Sequence, residues 1–235
     1  MLTADGVTIR RGAYRLEVPA FRASPGECVA VVGQNGSGKS TWLLALCGVL
    51  GTAEGQIWLH GRPCRPPSAA YLPAQAEDAL LGADRRQEVG LTLGLLGGTE
   101  EPDAVLRRAE ALLDLPAEAA PPDAAERVYR VLCGLVATDA ELFLLDEPTA
   151  RVLPRAQAAL RRAILRLCAS GRTVVVATHD PELARLAQRV YRAAGGRLEP
   201  TTLAEAVAEG VLAAPDLGVD APSLEDLLGR IAGRC

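Results

Sequence analysis

Three short runs in the chain are apolar without a break. Cys28–Val32, Leu142–Leu145 and Thr173–Ala177 have the pattern of strands buried on both faces. Between and around them the periodicity becomes helical, over Thr41–Leu46, Ala104–Leu113, Ala124–Ala137, Arg155–Ser170 (closed by Gly171) and Pro181–Ala187. Strands alternating with helices predict an α/β fold with a mostly parallel sheet core. Ahead of it, Leu2–Arg10 and Tyr14–Phe21 alternate loosely about Arg11-Gly12-Ala13, which predicts an antiparallel hairpin in an N-terminal β subdomain. Gln56–Leu59, followed by the turn His60-Gly61-Arg62-Pro63, and Ala69–Leu72 are two further strands.

Residues 76–122 are read as a helical insertion. They are rich in Ala, Leu, Glu and Arg, are broken at Gly97-Gly98 and Pro102, and end at Pro121-Pro122. Gly195-Gly196 turns the chain. The expected organisation is one domain over 1–198 and a short tail over 199–235, with an amphipathic end at Leu224–Ile231 suited to a dimer or partner contact.

At 235 residues the chain can bury a full core. A net charge of −4 without a dense basic stripe does not suggest a nucleic-acid partner. The six cysteines have no C-x-x-C spacing and sit mostly in apolar runs, which reads as reduced core thiols of a cytosolic protein. There is no signal-peptide start and no apolar run near 18 residues, so any membrane role is expected to come through a partner.

Chemistry concentrates where the first buried strand ends. Gly33-Gln34-Asn35-Gly36-Ser37-Gly38-Lys39-Ser40 fits G-x-x-x-x-G-K-[ST], with a strand before it and a helix beginning at Thr41. The glycines let successive N–H groups turn toward phosphate oxygens, and the helix start adds partial positive charge. Lys39 can reach β- and γ-phosphates, and the Ser40 hydroxyl can ligate Mg²⁺. Lys39 is the only lysine; every other cationic side chain is arginine. A compact ammonium is kept where a planar fork would not substitute.

A second apolar strand delivers Asp146-Glu147 to its carboxyl end. Asp146 can hold Mg²⁺ through water, and Glu147 can polarise an attacking water. His179 follows a third strand and can help position that water, although a lone strand-end histidine is more often a loop residue. His60 has only that bland reading.

Together these residues resemble the ATP-binding cassette (ABC) ATPases, over about residues 2–198. Gly33–Ser40 is similar to the Walker A loop, Leu142–Asp146 to the Walker B strand and Glu147 to the catalytic glutamate, within Asp146-Glu147-Pro148-Thr149-Ala150. Gln75 falls at the Q-loop glutamine and His179 at the switch histidine. The resemblance implies a P-loop NTPase fold of the ABC type, with ATP and Mg²⁺ as ligands. Gly33–Thr41 and Arg11 would bind nucleotide; Ser40, Asp146 and Gln75 would hold the metal; Glu147, His179 and Gln75 would serve the chemistry.

Two departures bear on mechanism. Counting back from Asp146, the signature Leu-Ser-Gly-Gly-Gln/Glu is replaced by Pro122-Asp123-Ala124-Ala125-Glu126. After Ala150, Arg151-Val152-Leu153 stands where Gly-Leu-Asp is expected, so the D-loop aspartate is missing. The adenine-stacking aromatic expected near Arg11 is also absent, which leaves Arg11 or Tyr14 for that role.

Three weaker segments resemble the energy-coupling-factor importers (cobalt, nickel and vitamin type): Tyr71–Leu81, Cys133–Ala137 and Leu217–Leu227. The expected function is ATP hydrolysis powering a membrane importer, at the cytoplasmic face through a transmembrane subunit. A second cassette with an intact signature would complete an asymmetric heterodimer. Two rivals stay open: a soluble cassette with an assembly or regulatory role, and a small P-loop kinase, against which Asp146–Thr149 and His179 count.

Overall fold

A computed structural model describes residues 1–64, 68–119 and 122–212. Its centre is a set of parallel strands: β3 (Cys28–Val32), β6 (Ala69–Leu72), β7 (Leu142–Asp146) and β8 (Thr173–Thr178). They lie side by side as β3-β8-β7-β6, all in parallel register. Alternate residues of these strands feed two cores. Cys28, Ala30 and Val32 of β3, with Phe143 and Leu145 of β7, face one apolar cluster; Val29, Val31, Leu142 and Leu144 face the other. Both faces are covered, so the strands read as continuous apolar runs.

On the other side of β3 the sheet continues through β9 (Arg189–Ala194) and β10 (Arg197–Thr201) to the antiparallel β1 (Leu2–Arg11) and β2 (Tyr14–Ala23). It closes with β4 (Glu54–Leu59) and β5 (Arg62–Pro63), making ten strands in all among the described residues. The β9–β10 hairpin was not expected: only its turn, Gly195-Gly196, stands out in the sequence. Arg62–Pro63, expected as part of a turn, forms the edge strand β5. The boundary expected after residue 198 falls inside β10, and Ala206, Val207 and Leu212 pack into the main core.

Helix α1 (Lys39–Leu46) packs against β7 and β8, in the apolar cluster that these strands share with β1 and β2. The insertion holds α2 (Arg85–Leu96) and α3 (Pro102–Leu113), preceded by a short 3₁₀ turn at Ala76–Ala79. Helices α4 (Ala124–Ala137), α5 (Pro154–Ala169), α6 (Pro181–Ala184) and α7 (Leu203–Ala208) complete the fold. The helix expected over Pro181–Ala187 stops early, because Leu186 and Ala187 donate three residues back, to Leu183 and Ala184, and so tighten the last turn.

Cys28, Cys47, Cys64, Cys133 and Cys168 are free and buried. Burial pushes the Cys64 and Cys133 thiols up to about 12, so both stay protonated at neutral pH. No helix among the described residues is long and apolar enough to cross a membrane. Pro121, Cys235 and the C-terminal segments Leu217–Leu227 and Leu224–Ile231 lie outside the described residues.

Candidate active site

The parallel strands all end on the same side, and the loops that follow β3, β6, β7 and β8 meet there. A cavity of about 410 Å³ opens at this edge, lined by Asn35–Thr41 together with Arg11, Tyr14, Ala74, Asp146 and Glu147.

Two glycines are required by close approach. A Cβ on Gly33 would come within 2.5 Å of the Ala193 carbonyl and of Ser37 Oγ. Gly38 has φ 107°, and its Cβ would meet the Tyr14 hydroxyl at 2.2 Å. Gly38 also caps α1 without any side-chain hydrogen bond, so the N–H groups of that first turn stay available to an anion.

Lys39 is almost fully buried and curls back under its own loop, donating to the Gly33 carbonyl at 2.8 Å and the Gln34 carbonyl at 3.4 Å. Its ammonium also lies 3.3 Å from Glu147 Oε1. The other Glu147 oxygen, Oε2, is 2.8 Å from His179 Nδ1 and accepts the His179 backbone N–H at 3.3 Å. A continuous chain, Lys39–Glu147–His179, therefore joins the loops after β3, β7 and β8.

Asp146 is 2% exposed; its Oδ2 accepts from the Tyr71 hydroxyl at 3.1 Å, while Oδ1 is buried without a hydrogen-bond partner. Burial holds its carboxyl above the usual carboxylate range, against the nearby Ser40 and Tyr71 hydroxyls, which favour the anion. Burial and the neighbouring Asp146 charge raise the Tyr71 hydroxyl in turn, so it stays a donor.

Most of the residues expected from the sequence converge here, but one does not. Gln75 is exposed at the start of the 3₁₀ turn, and Ala74 is the residue that lines the cavity. Arg11 and Tyr14 both line it, yet the Tyr14 hydroxyl is committed to the Ser37 carbonyl at 2.8 Å. Tyr71 escaped the sequence reading as a site residue. Nothing in its local sequence, Ala70-Tyr71-Leu72-Pro73, points to Asp146 as its partner.

Asp123, aligned with the signature serine, is the N-cap of α4 and accepts the Glu126 N–H at 2.9 Å. Glu126, at the motif's last position, is buried in a fork with Arg85, at 2.9 Å to Nε and 2.7 Å to Nη2.

A parallel sheet whose first loop wraps a lysine at a helix start, facing an aspartate and a glutamate from a neighbouring strand, defines a phosphate-loop nucleoside triphosphatase. Similarity to known proteins narrows the class. The family model described as ABC transporter matches residues 16–94. The thiamine import ATP-binding protein ThiQ of Cereibacter sphaeroides is 34% identical over 215 residues, 85% of this chain and 90% of that one. The energy-coupling factor transporter ATP-binding protein EcfA of Methanocaldococcus jannaschii is 26% identical, over 83% of this chain and 73% of the relative. Among solved structures, cbiO1 from Clostridium perfringens, part of the ABC transporter complex cbiONQ, superposes with a TM-score of 0.75 at 19% identity. That match covers 89% of this chain and 91% of the other. The chain belongs to the ABC transporter ATP-binding family, and it is an ATPase of that family.

Proposed function

We propose that this chain is the ATP-hydrolysing subunit of a membrane importer, held at the cytoplasmic face by a transmembrane partner and working as one half of an asymmetric cassette pair. The observation that carries the reading is a contrast within the molecule. Lys39 and His179 both contact Glu147, whereas the α4 start carries the Asp123 carboxylate where a partner's nucleotide would need a neutral donor. Import is supported by relatives named for thiamine import and energy coupling, the energy-coupling kinship by EcfA among them.

Within its own half-site, the loop N–H groups and the start of α1 would take the phosphates, and Lys39 would place its charge against the β and γ groups. As phosphate oxygens claim Lys39, Glu147 is freed from it and stays aimed by His179. Its carboxylate can then accept a proton from the attacking water. The unpartnered Oδ1 of Asp146 beside Ser40 fits a hard divalent cation, and no larger cluster of metal-binding side chains occurs among the described residues. That donor set suits Mg²⁺, which takes few protein ligands and keeps water and phosphate oxygens. When bound, it would neutralise charge on the phosphates.

In a pair of identical chains, each ATP would face Asp123. Two unit charges 4 Å apart repel by about 4 kcal/mol at an effective dielectric near 20. Ala124 and Ala125 further crowd the backbone N–H groups there. Purification of the tagged chain from native membranes tests the assembly. The expected co-purifying proteins are a transmembrane subunit and a second cassette with an intact Ser-Gly-Gly. Recovery without any membrane protein would instead support a soluble assembly or regulatory role.

A further inference from the structure

Asp146 is held from one side by a residue that the phosphate-loop chemistry does not require. Strands β6 and β7 run parallel, with Tyr71 opposite Leu144 and Leu72 opposite Leu145. The Tyr71 ring packs against the apolar cluster beneath the sheet, together with Tyr14 and Leu50. That anchorage fixes where its hydroxyl lies, and the hydroxyl donates to Asp146 Oδ2 at 3.1 Å.

The carboxylate is thereby divided. Oδ2 is occupied by Tyr71, and Oδ1 is buried, lacks a hydrogen-bond partner and belongs to a residue lining the cavity beside Ser40. A buried carboxylate without that donor could turn about its last side-chain bond and offer both oxygens to its other neighbours, Lys39 among them. An anchored donor on one oxygen removes this freedom and leaves the other oxygen without a protein partner. This is the arrangement by which an outer hydrogen bond orients a ligating carboxylate.

We propose that Tyr71 is a positioning residue for the divalent cation, holding the Asp146 carboxylate so that Oδ1 is presented beside the Ser40 hydroxyl. The inference rests on the ATP and Mg²⁺ reading of this site and adds to it a residue on a different strand. Tyr71 touches neither nucleotide nor reacting atoms; it acts through Asp146.

The test separates metal from nucleotide. A non-hydrolysable ATP analogue is titrated into the full chain without metal, and then Mg²⁺ is titrated at fixed analogue, with Mn²⁺ followed by electron paramagnetic resonance as a direct count of bound metal. Tyr71→Phe keeps the ring and removes only the hydroxyl. Its half-saturating metal concentration is expected to rise about tenfold, the lower end of the usual cost of losing such a partner, with metal-free analogue affinity unchanged. Asp146→Asn should raise the metal requirement by itself, and adding Tyr71→Phe to it should change little, because both act through one carboxylate.

An unchanged metal requirement in Tyr71→Phe would overturn the proposal. So would an equal loss of metal-free affinity, or full additivity with Asp146→Asn. Failure of the unmodified chain to show any metal-dependent analogue binding would overturn the Mg²⁺ reading itself, and this inference with it.

Discussion

Glu147 has φ 46°, a left-handed conformation that side chains with a Cβ adopt only at some cost. Its N–H is held by the Ala177 carbonyl at 2.9 Å, and its carboxylate is shared between Lys39 and His179. Neighbouring strands thus over-determine a strained backbone at the residue expected to act as base. Glu147→Gln preserves shape and removes basicity. Steady-state turnover should fall by about 10²-fold or more while ATP affinity is kept, and normal turnover would mean that Asp146-Glu147 is merely a strand end. Among single residues the sequence is most legible at Lys39, where one lysine in a chain of arginines stands inside a spaced motif that needs a compact ammonium. Gln75 is less so, since nothing local dictates which of Ala74 and Gln75 faces the cavity where the strand gives way to a 3₁₀ turn. Tyr71 is invisible as a site residue because its partner lies on another strand, and strand adjacency is a property of the whole sheet.

Among the elements, α4 is the one whose sequence and structure have to be read together. Aligned as a motif, Asp123–Glu126 looks only degraded. In the fold, Asp123 caps the helix, and Glu126 anchors α4 to α2 through Arg85, which is 1% exposed and also donates to Glu110 and to the Pro116 carbonyl. Arg130 joins the same group, with Glu118 at 3.1 Å. Arg85→Met would leave Glu126 buried without its fork, and urea unfolding should show a loss of about 3–5 kcal/mol. Arg85→Met with Glu126→Leu should recover much of that; no recovery would mean that Arg85 acts through packing instead. The β9–β10 hairpin is hidden in the sequence for a related reason. Arg189 and Arg192 interrupt the apolar pattern, and the segment becomes a strand because β3 lies beside it. The buried parallel strands need no such context, since burial on both faces leaves an uninterrupted apolar run in the sequence.

For the whole molecule, the sheet brings the loops after β3, β7 and β8 to one edge, and the proposed pairing assigns the α4 start to a second chain. In the proposed pairing this chain supplies the Lys39–Glu147–His179 half of a site and carries Asp123 in the complementary half, so it should hydrolyse ATP well only beside a different cassette. Repairing the altered half is a clean test. Aspartate and serine are both good N-caps, so Asp123→Ser should not by itself unfold α4, although Ala124→Gly and Ala125→Gly cost up to about 1 kcal/mol each. The measurement is steady-state ATP turnover of the purified chain, free of any partner, with and without the combined change Asp123→Ser, Ala124→Gly and Ala125→Gly. Feeble turnover is expected in the unmodified chain, with a clear rise in the repaired one. Brisk turnover in the unmodified chain, unaltered by the three substitutions, would contradict the asymmetric pairing.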